Sequence, residues 1–419
     1  MKIKPFSALR PHPDFVETIA SLPYDVMDTA EARVMAAGNP KSFLRVVRSE
    51  IDFPEGMDPH TDAVYAKAKE NLDALVSDGS LVRENAPAYY LYRLIMGEHA
   101  QTAIVACCSI DDYANQVILR HEKTRKDKED DRTRHILETN ANTGQVFLTY
   151  RDLPAIDTIV EQACLDASPI YDFVAEDGIR HTVWVVEDAA ELTSAFASVP
   201  KAYIADGHHR SAASYRAGAI RRQAAGDDHD PAAEYNRFMA CLFPASQLNL
   251  LPYNRCVLNL NGLEPDAFLA AVAQRFEMED VDSPHLDGPC SCAMYFKGKW
   301  HRLSWTLPVS EASDPVSQLD VSRLQEDLLA PILGIDDPAT HSDIFFVGGI
   351  RGTDELVRNV DSGRAAVAFA MYPTTIEQMM MIADAGQTMP PKSTWFEPKL
   401  RSGLLIHTLN GRVALGEER

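Results

Sequence analysis

Ile204-Ala-Asp-Gly-His-His-Arg210 runs from an apolar segment, through a single glycine, into an alanine-rich stretch. Lys201-Ala-Tyr-Ile-Ala205 has the composition of a short buried strand, and Ser211-Ala-Ala-Ser-Tyr-Arg-Ala217 that of a helix whose small residues permit close packing. Gly207 supplies the turn between them. Such a strand-to-helix turn aims main-chain N–H groups outward at the positive end of a helix. With two imidazoles and a guanidinium beside it, Gly207, His208, His209 and Arg210 form a phosphate cradle. Asp206 adds a carboxylate suited to holding Mg²⁺ or accepting a proton. Taken singly, each residue has an ordinary reading: Asp-Gly is a turn signal, and paired loop histidines are usually just solvated. Their convergence at one junction is what favours chemistry.

Outward from this stretch, strand and helix patterns alternate, which predicts a mixed α/β fold. Upstream, the charged segment Arg120 to Glu138 reads as a loop and then a helix, followed by an Asn140-Ala-Asn-Thr-Gly144 turn and a strand, Gln145-Val-Phe-Leu-Thr-Tyr150. β-rich runs at Ala88 to Ile95, Thr102 to Cys108 and Gln116 to Leu119 precede it. Residues 1–95 read as mainly helical, with Asp28 or Thr29 capping one helix that Gly38 ends. Gln223 to Pro231 has the composition of an exposed connection. The chain is thus expected to divide into a helical N-terminal region (1–95), a core (96–222) and an additional α/β C-terminal domain (232–419).

Composition narrows the function classes. The 419 residues, 46% of them hydrophobic, suffice for two or three packed cores. No run approaches a membrane span, and Met1-Lys-Ile-Lys-Pro-Phe lacks the apolar centre of a secretory signal, so a cytoplasmic location is expected. Seven cysteines show no framework spacing, and Cys290-Ser-Cys292 without a second pair is weak evidence for zinc. A net charge of −21 opposes nucleic-acid binding through the long-range field. The densest basic segment, Arg120 to Arg134, carries seven Lys/Arg against five Asp/Glu, the mixture of a solvated helix face.

Two further constellations carry polar chemistry. Arg120-His121-Glu122 follows directly on an apolar strand, where α/β folds deliver functional side chains, and Glu122 is a candidate base. Its ordinary reading is a surface carboxylate paired with Lys126 one turn on. Near the C-terminus, Met389-Pro-Pro-Lys-Ser-Thr-Trp-Phe-Glu-Pro-Lys399 is too irregular for a helix; Lys392, Ser393, Thr394 and Lys399 suit a substrate loop that grips an anion. Gly348-Gly349 with Arg351-Gly352 lacks the order of a dinucleotide fingerprint or a P-loop. There is no Gly-x-Ser-x-Gly elbow and no His-Glu-x-x-His zinc helix.

Blocks along nearly the whole chain resemble a prokaryotic family catalogued as domain of unknown function 1015. They are Lys4-Pro-Phe-Ser-Ala-Leu-Arg-Pro11, Pro23-Tyr-Asp-Val26, Asn39-Pro-Lys-Ser-Phe-Leu44, Arg120-His-Glu-Lys-Thr124, Lys128-Glu-Asp-Asp-Arg132, Asn140-Ala-Asn-Thr-Gly144, the Asp-Gly-His-His-Arg box and Met389-Pro-Pro-Lys-Ser-Thr394. The family carries no assigned activity. Residues 115 to 220, with His-Glu followed by Asp-Gly-His-His-Arg at a helix start, are similar to the superfamily of the ParB N-terminal domain, sulfiredoxin and the free-serine kinases. That resemblance implies a ParB/sulfiredoxin-like core whose box handles nucleotide phosphates. Sulfiredoxin needs a cysteine where His208 stands, which removes its chemistry here. ParB proteins carry Gly-Glu-Arg-Arg. The free-serine kinases are similar in both the box and an upstream glutamate, although the spacing from Glu122 to Asp206 is long and the C-terminal half has no counterpart there.

The resemblance implies a Mg²⁺-dependent phosphotransferase with ATP or ADP as donor and a small hydroxylated metabolite, free L-serine foremost, as acceptor. Glu122 is expected to take the hydroxyl proton and Asp206 to serve metal or alcohol. His209, Arg210 and the helix start are expected to bind phosphate beside Arg120 and His121, with His208 orienting Asp206. Three rivals remain: a phosphoserine or phosphomonoester hydrolase, a ParB-like nucleotide-gated regulatory or DNA-binding protein, and a metal hydrolase built on His121, His135, His208 and His209.

Overall fold

The computed structural model describes residues 1–188, 190–306 and 314–409. The chain forms a mixed α/β fold of two units, Met1–Leu248 together with Pro398 onward, and Asn249–Glu397. This division replaces the expected three parts. Residues 1–95 do not stand apart, because Ile3–Lys4 pairs with His99–Ser109 and Tyr89–Met96 forms the adjoining strand. Residues 398–409 also return to the first unit. Strand pairing over such sequence distances leaves no mark on local pattern.

The first unit is built on a nine-stranded mixed sheet. Eight strands lie in the order Ile118–Leu119, Ala202–Asp206, Val146–Tyr150, Arg237–Pro244, His99–Ser109, Tyr89–Met96, Arg180–Val186 and Tyr171–Val174. Three of them position the site and are labelled here β1 (Ile118–Leu119), β2 (Val146–Tyr150) and β3 (Ala202–Asp206). Their near-continuous apolar runs reflect a sheet covered on both faces. One face packs Ile104, Leu148, Ile204 and Leu242 against Ile156, Val160, Leu192 and Phe196. A second core gathers Phe43, Val46, Leu72 and Leu75 of the N-terminal helices with Ile406 of the returning segment.

Two helices flank the site, α1 (Lys126–Thr139) and α2 (His208–Ala225). They pack through Ile136 of α1 and the fully buried Ala213 and Ala217 of α2, together with Leu409. The small residues read as a close-packing surface therefore serve as one. The charged run is more than a solvated face. Asp131 is buried, accepts a hydrogen bond from the Tyr65 hydroxyl at 2.7 Å and pairs with Arg132, whose guanidinium lies 4.3 Å from the Tyr24 ring centre. At the N-terminus, Asp28 and Glu31 form a capping box on Thr29–Met35. Among the described residues no helix is long and apolar enough to cross a membrane.

The second unit contains a six-stranded sheet in the order Phe276–Val281, Lys299–Trp305, Ser291–Phe296, Val367–Met371, Tyr253–Val257 and Ile344–Gly348, all neighbours antiparallel. Its core joins Cys256, Ala293, Ala368 and Ala370 to Leu356.

Packing of α2 depends on Gly218. A Cβ there would lie 2.5 Å from the Tyr235 carbonyl oxygen and would also meet Ile110. Gly218→Ala is expected to destabilise the protein by about 1–3 kcal/mol through overpacking, seen as a lower urea midpoint. An unchanged midpoint would show that α2 can shift away from both neighbours.

Candidate functional site

Strands β1 and β3 are parallel neighbours, with Ala202 opposite Ile118 and Tyr203 opposite Leu119. Parallel strands deliver their C-terminal ends to the same edge, so Arg120-His121-Glu122 and Asp206-Gly207-His208 leave the sheet side by side. The long separation between Glu122 and Asp206 is thereby closed. Gly207 takes φ 95° and ψ 32°, a left-handed conformation that glycine adopts without Cβ strain, and a Cβ there would also come within 3.1 Å of Arg210 Nε. Helix α2 begins at His208, earlier than the alanine-rich stretch predicts. His208, His209 and Arg210 thus form its first turn rather than a loop, and their main-chain N–H groups lie at the helix's positive end.

The two buried imidazoles of His121 and His208 meet edge to face, ring centres 4.5 Å apart. The main-chain N–H of His121 donates to His208 Nε2 at 3.4 Å. That bond places the proton of a neutral His208 on Nδ1, which faces Glu122 Oε2 at 3.8 Å. Burial pulls the His121 pKa down to about 4. Burial, and then the neighbouring His121, pushes His208 well below the ordinary histidine value. The ligand atoms of His121, Glu122 and His208 lie within 4.8 Å of one another, the span of a metal site. With its Nε2 already taken up by the His121 N–H, however, His208 fits poorly as a ligand through that nitrogen.

A second cluster surrounds Asp206. Its Oδ2 is 3.2 Å from Lys399 Nζ and its Oδ1 is 3.4 Å from Arg210 Nη2. Burial acts to raise the Asp206 pKa, but Lys399 and Arg210 together hold the carboxyl well below the usual carboxylate range. Arg210 in turn contacts Asp25 Oδ2 at 3.3 Å and donates to the Gln145 carbonyl. Burial works against its charge, yet Asp25 and Asp206 drive its pKa up. Asp206 is therefore an ionised anchor for two cations. Both its oxygens face cations, so it does not fit the expected role of Mg²⁺ ligand, nor that of proton acceptor.

The structure brings Glu122, His121, Asp206, Gly207, His208 and Arg210 together. His209 is half-buried, its Nε2 accepting from the Arg125 main-chain N–H at 3.1 Å, and burial lowers its pKa. Arg120 is exposed, and its charge acts on the Tyr113 hydroxyl. Lys126 meets Asp130 at 2.5 Å. Lys392, Ser393 and Thr394 belong to the second unit. There Lys392 Nζ lies 5.4 Å from the Tyr253 ring centre and the Ser393 hydroxyl donates to the Pro390 carbonyl at 2.7 Å. His135 does not join the other histidines: its Nε2 hydrogen-bonds the Val46 carbonyl at 2.9 Å, which removes the four-histidine metal centre. The residues that sequence reasoning missed are Asp25 and Gln145, and Lys399 in its actual place beside Asp206. The irregular Pro23-Tyr-Asp-Val26 segment was the one local signal for Asp25.

The model of the family described as "Protein of unknown function (DUF1015)" matches residues 3–322. No curated protein sequence matches the chain. Similar solved structures include a conserved hypothetical protein from Pyrococcus furiosus at 11% identity and TM-score 0.34, covering 72% of this chain and 95% of that one. A free serine kinase in complex with AMP shows 10% identity and TM-score 0.36, covering 72% of this chain and 92% of its own. SbnI with C-terminal truncation from Staphylococcus aureus shows 11% identity and TM-score 0.38, covering 72% and 87%.

Buried neutral histidines give the fold a defined acid response. Burial lowers the pKa to about 4 in both His121 and His135, against about 6.5 for an unfolded imidazole. The unfolded chain takes up protons first as pH falls, so the stability held above about pH 6.5 is lost progressively towards about pH 4. The urea midpoint is expected to be clearly lower at about pH 5 than at about pH 7.5. Equal midpoints would mean that these rings are solvated.

Proposed function

The chain belongs to the DUF1015 family, proteins of unknown function, and we propose that it is a phosphotransferase: it binds nucleotide phosphates at the start of α2 and passes a phosphoryl group to a small hydroxylated metabolite. Free L-serine is the favoured acceptor, and ATP or ADP the donor. The observation that carries this reading is the parallel pairing of β1 and β3, which sets the Glu122 carboxylate beside a helix N-terminus backed by Arg210 and Lys399. A base for a hydroxyl and a cationic seat for phosphate are the two elements that phosphoryl transfer requires of a protein. The likeness of the Asp-Gly-His-His-Arg box and Glu122 to the free-serine kinases points to the same reaction class.

In this reading the first-turn N–H groups of α2 hold the phosphate oxygens. Glu122, whose side chain is 43% exposed, accepts the acceptor's hydroxyl proton. The hydroxyl oxygen forms a bond to phosphorus as the bond from phosphorus to the nucleotide's bridging oxygen breaks, leaving the shortened nucleotide. His208 Nδ1–H steadies Glu122, and Asp206 fixes Arg210 and Lys399 in place. Mg²⁺ would be supplied with the nucleotide as counter-charge to its phosphates, with no ligand role for Asp206.

The test is incubation of the purified chain with Mg²⁺, free serine and either ATP or ADP, followed by mass spectrometry for phosphoserine. Glu122→Gln is expected to lower turnover by roughly 10²-fold or more without unfolding the protein. Near-wild-type turnover in that variant would remove Glu122 from the mechanism. Release of inorganic phosphate from phosphoserine without nucleotide would transfer the reading to a phosphomonoester hydrolase. Asp206→Asn is expected to lower turnover by a similar factor, roughly 10²-fold, with weaker nucleotide binding, because Arg210 and Lys399 lose their anchor. Unchanged nucleotide affinity in that variant would contradict the anchoring role.

A further inference from the structure

Lys399 lies well beyond residue 322, where the match to the family model ends, yet it reaches the centre of the site. The segment that carries it is firmly seated. Ser402 exchanges main-chain hydrogen bonds with Ser21 at 3.1 and 2.9 Å, Ile406 does so with Leu9 at 3.0 and 2.9 Å, and His407 pairs with Asn142. Two residues after Lys399, the Arg401 N–H donates to the Tyr92 hydroxyl at 3.2 Å, and the Arg401 carbonyl accepts from Gln145 Nε2 at 3.1 Å. Leu404, Leu405 and Ile406 are buried. The backbone on this side of Lys399 is therefore fixed against the first unit, and its ammonium is held 3.2 Å from Asp206, the residue directly before the turn into α2.

Charge counting shows why a second cation matters there. Asp25, Asp206 and Glu122 bring three negative charges to the neighbourhood, while His121 and His208 are kept neutral by burial. Arg210 alone cannot balance them, and it is already turned towards Asp25, Asp206 and the Gln145 carbonyl. A phosphate approaching such a site without Lys399 would meet net negative charge, which the partial positive charge of a helix start offsets only in part. The lysine differs from the arginine in kind. Its compact ammonium on a flexible stem carries three rotatable donors that can turn to a phosphate oxygen, whereas the guanidinium is a rigid planar fork.

We propose that Lys399 is the second phosphate-binding cation of this site, held in place by Asp206 and donating from Nζ to the phosphate oxygens of a bound nucleoside polyphosphate. This rests on the phosphotransferase reading given above. It makes the returning C-terminal segment a functional part of the first unit, and predicts that the stretch matched by the family model alone, residues 3–322, lacks a complete phosphate site.

The test is calorimetric titration of the full-length chain with ADP and, separately, with inorganic pyrophosphate, in the wild type, Lys399→Met and Lys399→Arg. Lys399→Met is expected to weaken both ligands by on the order of tenfold or more, as loss of a charge-assisted contact implies, and Lys399→Arg to recover part of the loss. Equal affinity in Lys399→Met and the wild type would overturn the proposal while leaving the phosphotransferase reading intact. Pyrophosphate binding without ADP binding in the wild type would sink the nucleotide reading, and Lys399 would then stand or fall on the pyrophosphate series. Binding of neither ligand by the wild type would overturn both. Should Lys399→Met fail to fold, acylation of lysines in the wild type followed by mass spectrometry decides the matter. Saturating ADP is expected to protect Lys399, and unchanged labelling would overturn its role.

Discussion

Two facing residue pairs, Ala202 with Ile118 and Tyr203 with Leu119, govern everything that is chemically distinctive about this chain. The contact is small, and β1 is only two residues long. Its consequence is large because parallel strands end together, so whatever follows each one is delivered to a common edge. Shifting the pairing by one residue would turn every side chain of β1 to the opposite face. Glu122 and His121 would then no longer meet the start of α2. The register is secured by the apolar side chains of Ile118, Ile204 and Ala202, all buried in the main core of the first unit.

The electrostatics of the site follow from that placement. Arg210 and Lys399 are largely shielded from water, where an unpaired charge would be costly, while Asp206 is half-buried and Asp25 lies at the exposed edge of the cluster. Alternating the signs makes the arrangement tolerable: Lys399 meets Asp206, Asp206 meets Arg210, and Arg210 meets Asp25. The adjoining imidazoles avoid the same cost by remaining neutral. A site organised in this way has its dipoles and charges oriented before any ligand arrives, which is the condition under which electrostatic stabilisation is effective. The chain as a whole carries −21, so cations at this one position stand out against an opposing background.

Much of this was legible from residues alone, and the exceptions are instructive. The turn at Gly207 and the small-residue face of α2 followed directly from residue type, since only glycine enters the left-handed region freely and only small side chains let helices approach closely. The start of α2 at His208 was not legible, because polar residues fit both a first helical turn and a loop. Phe276–Val281 is an edge strand whose charged, alternating sequence resembles a surface segment. Asp131 lies within a run that reads as a solvated face, yet it is buried against Tyr65 and Arg132. A mixed-charge pattern states that charges are present; which of them are enclosed depends on what packs over them.

The sequence by itself determined the mixed α/β class and the strand-to-helix junction at Gly207. These depend on interactions within a few residues, such as backbone preference, side-chain size and hydrophobic period, which any local stretch carries. Tertiary structure alone decided that Glu122 faces His208, that Asp206 is an ionised anchor in place of a metal ligand, and that Asp25 and Lys399 belong to the same cluster. Lys399 and Asp206 are separated by 193 positions, and their contact exists because residues 398–409 fold back onto the first unit. Such contacts, and the burial that sets each charge, arise from the chain's return upon itself, which no local pattern records.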